Sequence, residues 1–160
     1  ALAQTIREFG IAVWIEPTEY TGYPDGISHR PDLAVDTIPP AAIDICVCKQ
    51  IGRVGDNAKE SADRKNKENK GTIEGKHKNR FFPYVCEVFG HLNGHVTSFI
   101  NHVAYCLPFH RRNEFKFQMY LKTSVILAKQ RNLMITTERN FSNNNNGFHT
   151  NNIDCFVSLL

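Results

Sequence analysis

Apolar and polar positions alternate along this chain in a way that marks out its elements. Leu2, Ile6 and Phe9 recur at helical spacing, and Gly10 is a natural stop, so residues 1–9 are expected to form a helix. The apolar residues 11–15 read as a strand closed by Pro17. Gly22, Pro24, Asp25, Gly26 and Ser28 make 18–29 a turn-rich loop. Residues 33–35 form a short apolar run, and 42–48 a longer one rich in β-branched residues, as in a central strand buried on both faces. With Pro39-Pro40 between them, the two runs are expected to pair as adjacent strands.

From Ala58 to Lys70 the composition turns to Lys, Glu, Asp, Asn and Arg. Ala58, Ala62 and Lys65 share one helical face, which predicts a helix ending near Gly71. Residues 82–89 read as the next strand, stopped at Gly90. Phe99, Ile100, Val103 and Ala104 mark another helix. A long helical stretch covers 114–135, with Phe117, Tyr120, Leu121, Ile126 and Leu127 as its apolar positions. The order is helix, three strands, helix, strand and two helices, an α/β arrangement in one domain over 1–138. Residues 139–160 are read as an asparagine-rich tail that is disordered by composition, although 153–160 turn apolar again.

Composition narrows the function classes only slightly. The 160 residues are 41% hydrophobic, which supplies a core, and the net charge of +3 permits a polyanionic partner without requiring one. No apolar run approaches the roughly 20 residues of a membrane-spanning helix, so no membrane partner is expected. Five cysteines without a disulfide-like spacing, and no signal-like opening, suggest an intracellular compartment, nuclear in a eukaryote. The start at Ala1 is what a piece cut from a longer protein would show.

The sharpest chemical feature is a pair of aspartates on neighbouring strands. Asp32 opens one and Asp44 lies inside the other, where an unpaired charge costs several kcal/mol. A divalent ion shared by the two carboxylates would offset that cost, and the bland alternative is a salt bridge or access to solvent. A shared ion requires the carboxylates on one sheet face, about 4–6 Å apart. The basic helix follows with Arg64, Lys65, Lys67 and Lys70; a lysine beside bound water can orient it and stabilise phosphate charge. Each of these is otherwise an ordinary solvated charge. Glu87 is either a further acidic partner or an outward-facing charge on an alternating strand. Cys46 and Cys48, with His91, His95 and His102, invite a zinc site but lack a paired Cys-x-x-Cys knuckle, so buried structural cysteines account for them better. Arg111, Arg112 and Lys116 are candidate phosphate contacts.

Together, Arg30-Pro31-Asp32, residues 42–47 around Asp44, a Lys-x-x-Lys helix and Phe82-Pro83-Tyr84-Val85-Cys86-Glu87-Val88-Phe89-Gly90 resemble the restriction-endonuclease-like nucleases. More narrowly, they resemble the endonuclease domain that follows the reverse transcriptase in site-specific non-LTR retrotransposons. The resemblance spans about residues 1–135. It implies a small mixed sheet flanked by helices, and an Mg²⁺- or Mn²⁺-dependent enzyme that nicks DNA by phosphodiester hydrolysis. It further implies Asp32 and Asp44 as catalytic metal ligands, a catalytic lysine on the helix, and an upstream reverse transcriptase domain in the same polypeptide. The lysine that many such nucleases carry two residues past the second acid is Cys46 here, and the tyrosine after the second helix lysine is Gly71. The Lys-x-x-Lys spacing is met by Lys67 and Lys70, which ranks Lys67 first, Lys70 second and Lys65 third. Helix geometry favours Lys65 instead, because it lies nearest the Ala58/Ala62 face. A reading from another class is a non-catalytic nucleic-acid-binding remnant of the same fold.

Overall fold

The computed structural model describes residues 1–17, 31–49 and 52–143. The loop expected over 18–29, together with Arg30, lies outside these residues, as does the chain beyond Asn143. The elements are α1 (Leu2–Glu8), β1 (Val13–Ile15), β2 (Leu33–Val35), β3 (Ala41–Cys48), α2 (Asp56–Lys65), a π-helical turn (Asn66–Lys70), α3 (Gly71–His77), β4 (Arg80–Glu87), α4 (Gly94–Tyr105) and α5 (Arg112–Asn143). The α/β order expected from the sequence is the order observed.

The four strands form one mixed sheet in the order β1-β2-β3-β4. The first three pair antiparallel, and β4 lies parallel to β3. A parallel neighbour requires a crossover, and α2, the π turn and α3 supply it. Pro83 cannot donate to a ladder and is accommodated because β4 is an edge strand.

Strand parity assigns the two faces of the sheet. Leu33, Val35, Ile43, Ile45, Val47, Phe82, Tyr84 and Cys86 join one core with α1, α4 and α5. Within it Tyr84 Oη meets Thr123 Oγ1 at 2.7 Å, and Phe9 packs edge-on against Phe115 at 5.2 Å. On the opposite face, Ala34, Ala42 and Phe81 pack with Ile73, while Cys46 and Val85 pack with Ala58 and Ala62. The alanines let α2 approach closely, so both faces of β3 and β4 are covered.

Several expectations need correction. The basic helix does not stop at Gly71, which is helical at φ −59°; burial of Ile73 supports a further turn, and the helix ends at Lys78 in the left-handed region. On α5, Phe117 and Leu121 face solvent, whereas Phe115 and Met119 are core residues. Helix α5 runs on to Asn143, past the expected helical stretch 114–135.

Candidate catalytic centre

Antiparallel pairing of β2 with β3 sets Leu33 opposite Ile43, so the register carried one residue further sets Asp32 opposite Asp44. Both have the parity of Ala34, Ala42 and Cys46 and therefore face the α2 side. Two carboxylates directly across a strand pair repel one another, and such a pair persists only where something compensates.

The surroundings supply part of that compensation. Asp32 Oδ2 accepts the backbone N–H of Ile45 at 2.5 Å. Asp44 Oδ2 accepts from Lys65 Nζ at 2.7 Å and from Asn69 Nδ2 at 3.1 Å. The Lys65 and Asp44 side chains are only 12% and 17% exposed, so their attraction is little screened. Compensation is incomplete at Asp32: burial, with the Asp44 charge adding to it, pushes its carboxyl up to about 6, while the Ile45 N–H and Lys65 act in the opposite sense.

The helix geometry explains which lysine reaches Asp44. Lys65 ends α2 on the Ala58/Ala62 face that meets the sheet, and the wider π turn begins at Asn66. Lys65 and Asn69, four apart across that junction, both touch Asp44. The order based on Lys-x-x-Lys spacing is thus overturned as to geometry: Lys65, placed last, is the lysine ion-paired with Asp44. Lys67 instead lines a surface depression with Lys59, Glu60, Asp63 and Arg64 of α2. Lys70 lies within electrostatic reach of His95, whose pKa is lowered by burial first and by the Lys70 charge second.

Glu87 is not the outward-facing charge of an alternating strand, because it is fully buried. Its carboxylate accepts the Gly55 N–H at 2.9 and 3.0 Å and the Ala58 N–H at 3.3 Å. A carboxylate there satisfies orphan donors at the start of α2 and complements the helix dipole. Glu87 thereby ties β4 to the helix that carries Lys65. Gly55 stands at φ +92°, and a Cβ on it would lie 2.9 Å from His91 Nε2.

Asn69 is a site residue the sequence did not single out; its only signal is the four-residue spacing from Lys65. The zinc alternative is not assembled: His102 bonds Thr37 and Pro39, and His95 lies by Asn66. Cys46 and Cys86 are buried, and burial pushes the Cys86 thiol up to about 12. Among the described residues no group of three or more His, Cys, Asp or Glu side chains gathers as a metal site, and no helix is long and apolar enough to cross a membrane.

The donor set at Asp32 and Asp44 suits a hard divalent cation, which prefers carboxylate oxygens and keeps several waters. The residual cost of ionising Asp32, set by its burial first and by the Asp44 charge after that, is the kind of cost that such an ion relieves. Comparison with family models, curated proteins and solved structures finds no match to this chain.

Proposed function

We propose that this chain is a metal-dependent DNA endonuclease that nicks by phosphodiester hydrolysis, with the restriction-endonuclease-like fold and a place in a retrotransposon-type polyprotein. The observation that carries the reading is the Asp32/Asp44 cross-strand pair, covered by a helix that delivers Lys65 to Asp44. The element order and the parallel β3/β4 pair joined by a helical crossover also agree with it.

In this reading Asp32 and Asp44 hold Mg²⁺ or Mn²⁺. The bound ion supplies Lewis-acid activation of water and charge neutralisation at the phosphate. Ile45 N–H fixes one carboxylate and Asn69 the other, so neither must reorganise when substrate arrives. Lys65, held at the edge of the pair, orients the nucleophile and stabilises charge developing on the phosphate. Lys67 and Lys70, directed elsewhere, contribute to DNA affinity.

The test is nicking of supercoiled plasmid in Mg²⁺ or Mn²⁺, with and without EDTA, by the parent and by Asp44→Asn. Metal-dependent nicking lost in the variant supports the proposal. Plasmid binding with no nicking by the parent would replace it with the non-catalytic remnant.

A further inference from the structure

Across the sheet from the two carboxylates, the junction between α4 and α5 displays aromatic rings that no core requires. Phe109 is 86% exposed and Tyr105 69%. The backbone that carries them is braced. Pro108 caps the 3₁₀ turn Phe109–Arg111, and Arg112 donates from Nε to the Leu107 carbonyl at 3.0 Å and from Nη2 to the Tyr105 carbonyl at 3.2 Å. The guanidinium thus fixed lies 5.2 Å from the Tyr105 ring and 5.8 Å from the Phe109 ring. Lys116 Nζ stands 6.0 Å from the Tyr105 ring.

We infer that this junction is a stacking platform for single-stranded nucleic acid. Two neighbouring exposed rings, with Arg112 over both and Lys116 over Tyr105, match a ligand that alternates flat bases, for the uncovered ring surface, with phosphates, for the cations. A duplex keeps its base faces stacked internally and cannot use the rings. An acidic peptide would use the cations but lacks a flat group for each ring. The surface lies in the α4/α5 layer, opposite the α2 layer of the proposed catalytic centre, and its binding does not depend on cleavage.

The experiment is fluorescence anisotropy with labelled oligothymidine and oligouridine of about 10 nucleotides, the length scale of a single binding module. It is run in EDTA so that cleavage cannot intrude, on the full chain and on the Tyr105→Ala/Phe109→Ala double variant. Loss of two stacking contacts should weaken binding by about 10-fold or more with the thermal midpoint unchanged. Lys116→Gln should flatten the dependence of log affinity on log salt by about 0.7. A duplex of the same length should bind no differently to parent and double variant. Binding undiminished by loss of both rings, or no salt-dependent binding by the parent, overturns the inference; preference for an acidic peptide over both oligomers also overturns it. Platform binding is read in EDTA and nicking in Mg²⁺, so failure of nicking and failure of the platform are separately visible.

Discussion

Lys65 Nζ lies 2.7 Å from Asp44 Oδ2, and this contact joins the crossover helix to the aspartate pair of the sheet. A lysine in that position acts on whatever chemistry the two carboxylates support. Lys65→Ala is therefore expected to lower single-turnover nicking by about 10²–10³ at saturating Mg²⁺, the usual cost of removing one preorganised electrostatic group. Lys67→Ala and Lys70→Ala should instead weaken DNA binding with the rate at saturation unchanged. Equal rate losses in all three variants would remove the special place of Lys65.

Asp32 gives stability an unusual pH dependence. Its pKa is raised from 3.8 to about 6, by burial first and by Asp44 after that. At low pH, below the unfolded value, the carboxyl is protonated in both states and costs nothing. As pH rises towards 6, the unfolded chain loses this proton while the native chain keeps it, so stability falls; above that the cost is complete. Asp32→Asn, which keeps an acceptor for Ile45 N–H, should leave stability unchanged near pH 3. Near pH 8 it should raise stability by about 1–2 kcal/mol after allowing for solvent screening. Urea titrations at the two pH values measure this; an equal gain at both would show that charge is not the cause.

Much of the site was legible before the fold was known, and the exceptions have physical causes. Asp32 and Asp44 were recognisable as carboxylates on adjacent strand-like runs, but the β2/β3 register that puts them on one face is set by the connection and not by alternation along either strand. Lys65 was visible in the Ala58/Ala62/Lys65 spacing, but a motif spacing that assumes one regular helix pointed to Lys67 and Lys70. Sequence periodicity does not signal a π turn, which changes the helical phase after Lys65. Glu87 was misread because alternation implies exposure only where one sheet face meets water. Here both faces are covered, and every residue of β4 after Arg80 is buried.

The buried Glu87 should matter for stability. Glu87→Ala leaves the N–H groups of Gly55 and Ala58 without their acceptor and is expected to cost about 2–3 kcal/mol. Glu87→Gln, which retains an acceptor oxygen, should cost roughly half as much. Urea unfolding midpoints order the variants, and a harmless Glu87→Ala would refute the capping role.

Gly55 has two independent reasons to be glycine, its φ of +92° and the 2.9 Å approach of His91 to a would-be Cβ. Gly55→Ala is expected to destabilise by about 1–2 kcal/mol. His91→Ala in the same chain should restore only part of that loss, because the backbone strain remains. Complete restoration would assign the whole effect to the side-chain clash.

If the cross-strand aspartates hold one divalent ion, Mn²⁺ binding followed by electron paramagnetic resonance reads it without relying on turnover. The parent, Asp32→Asn and Asp44→Asn are titrated above pH 7, where Asp32 is ionised. One Mn²⁺ should bind per parent chain, and binding should weaken by about 10-fold or more in each variant, as for loss of a charged ligand. Mn²⁺ binding to the variants as tightly as to the parent, or none by the parent, would contradict it.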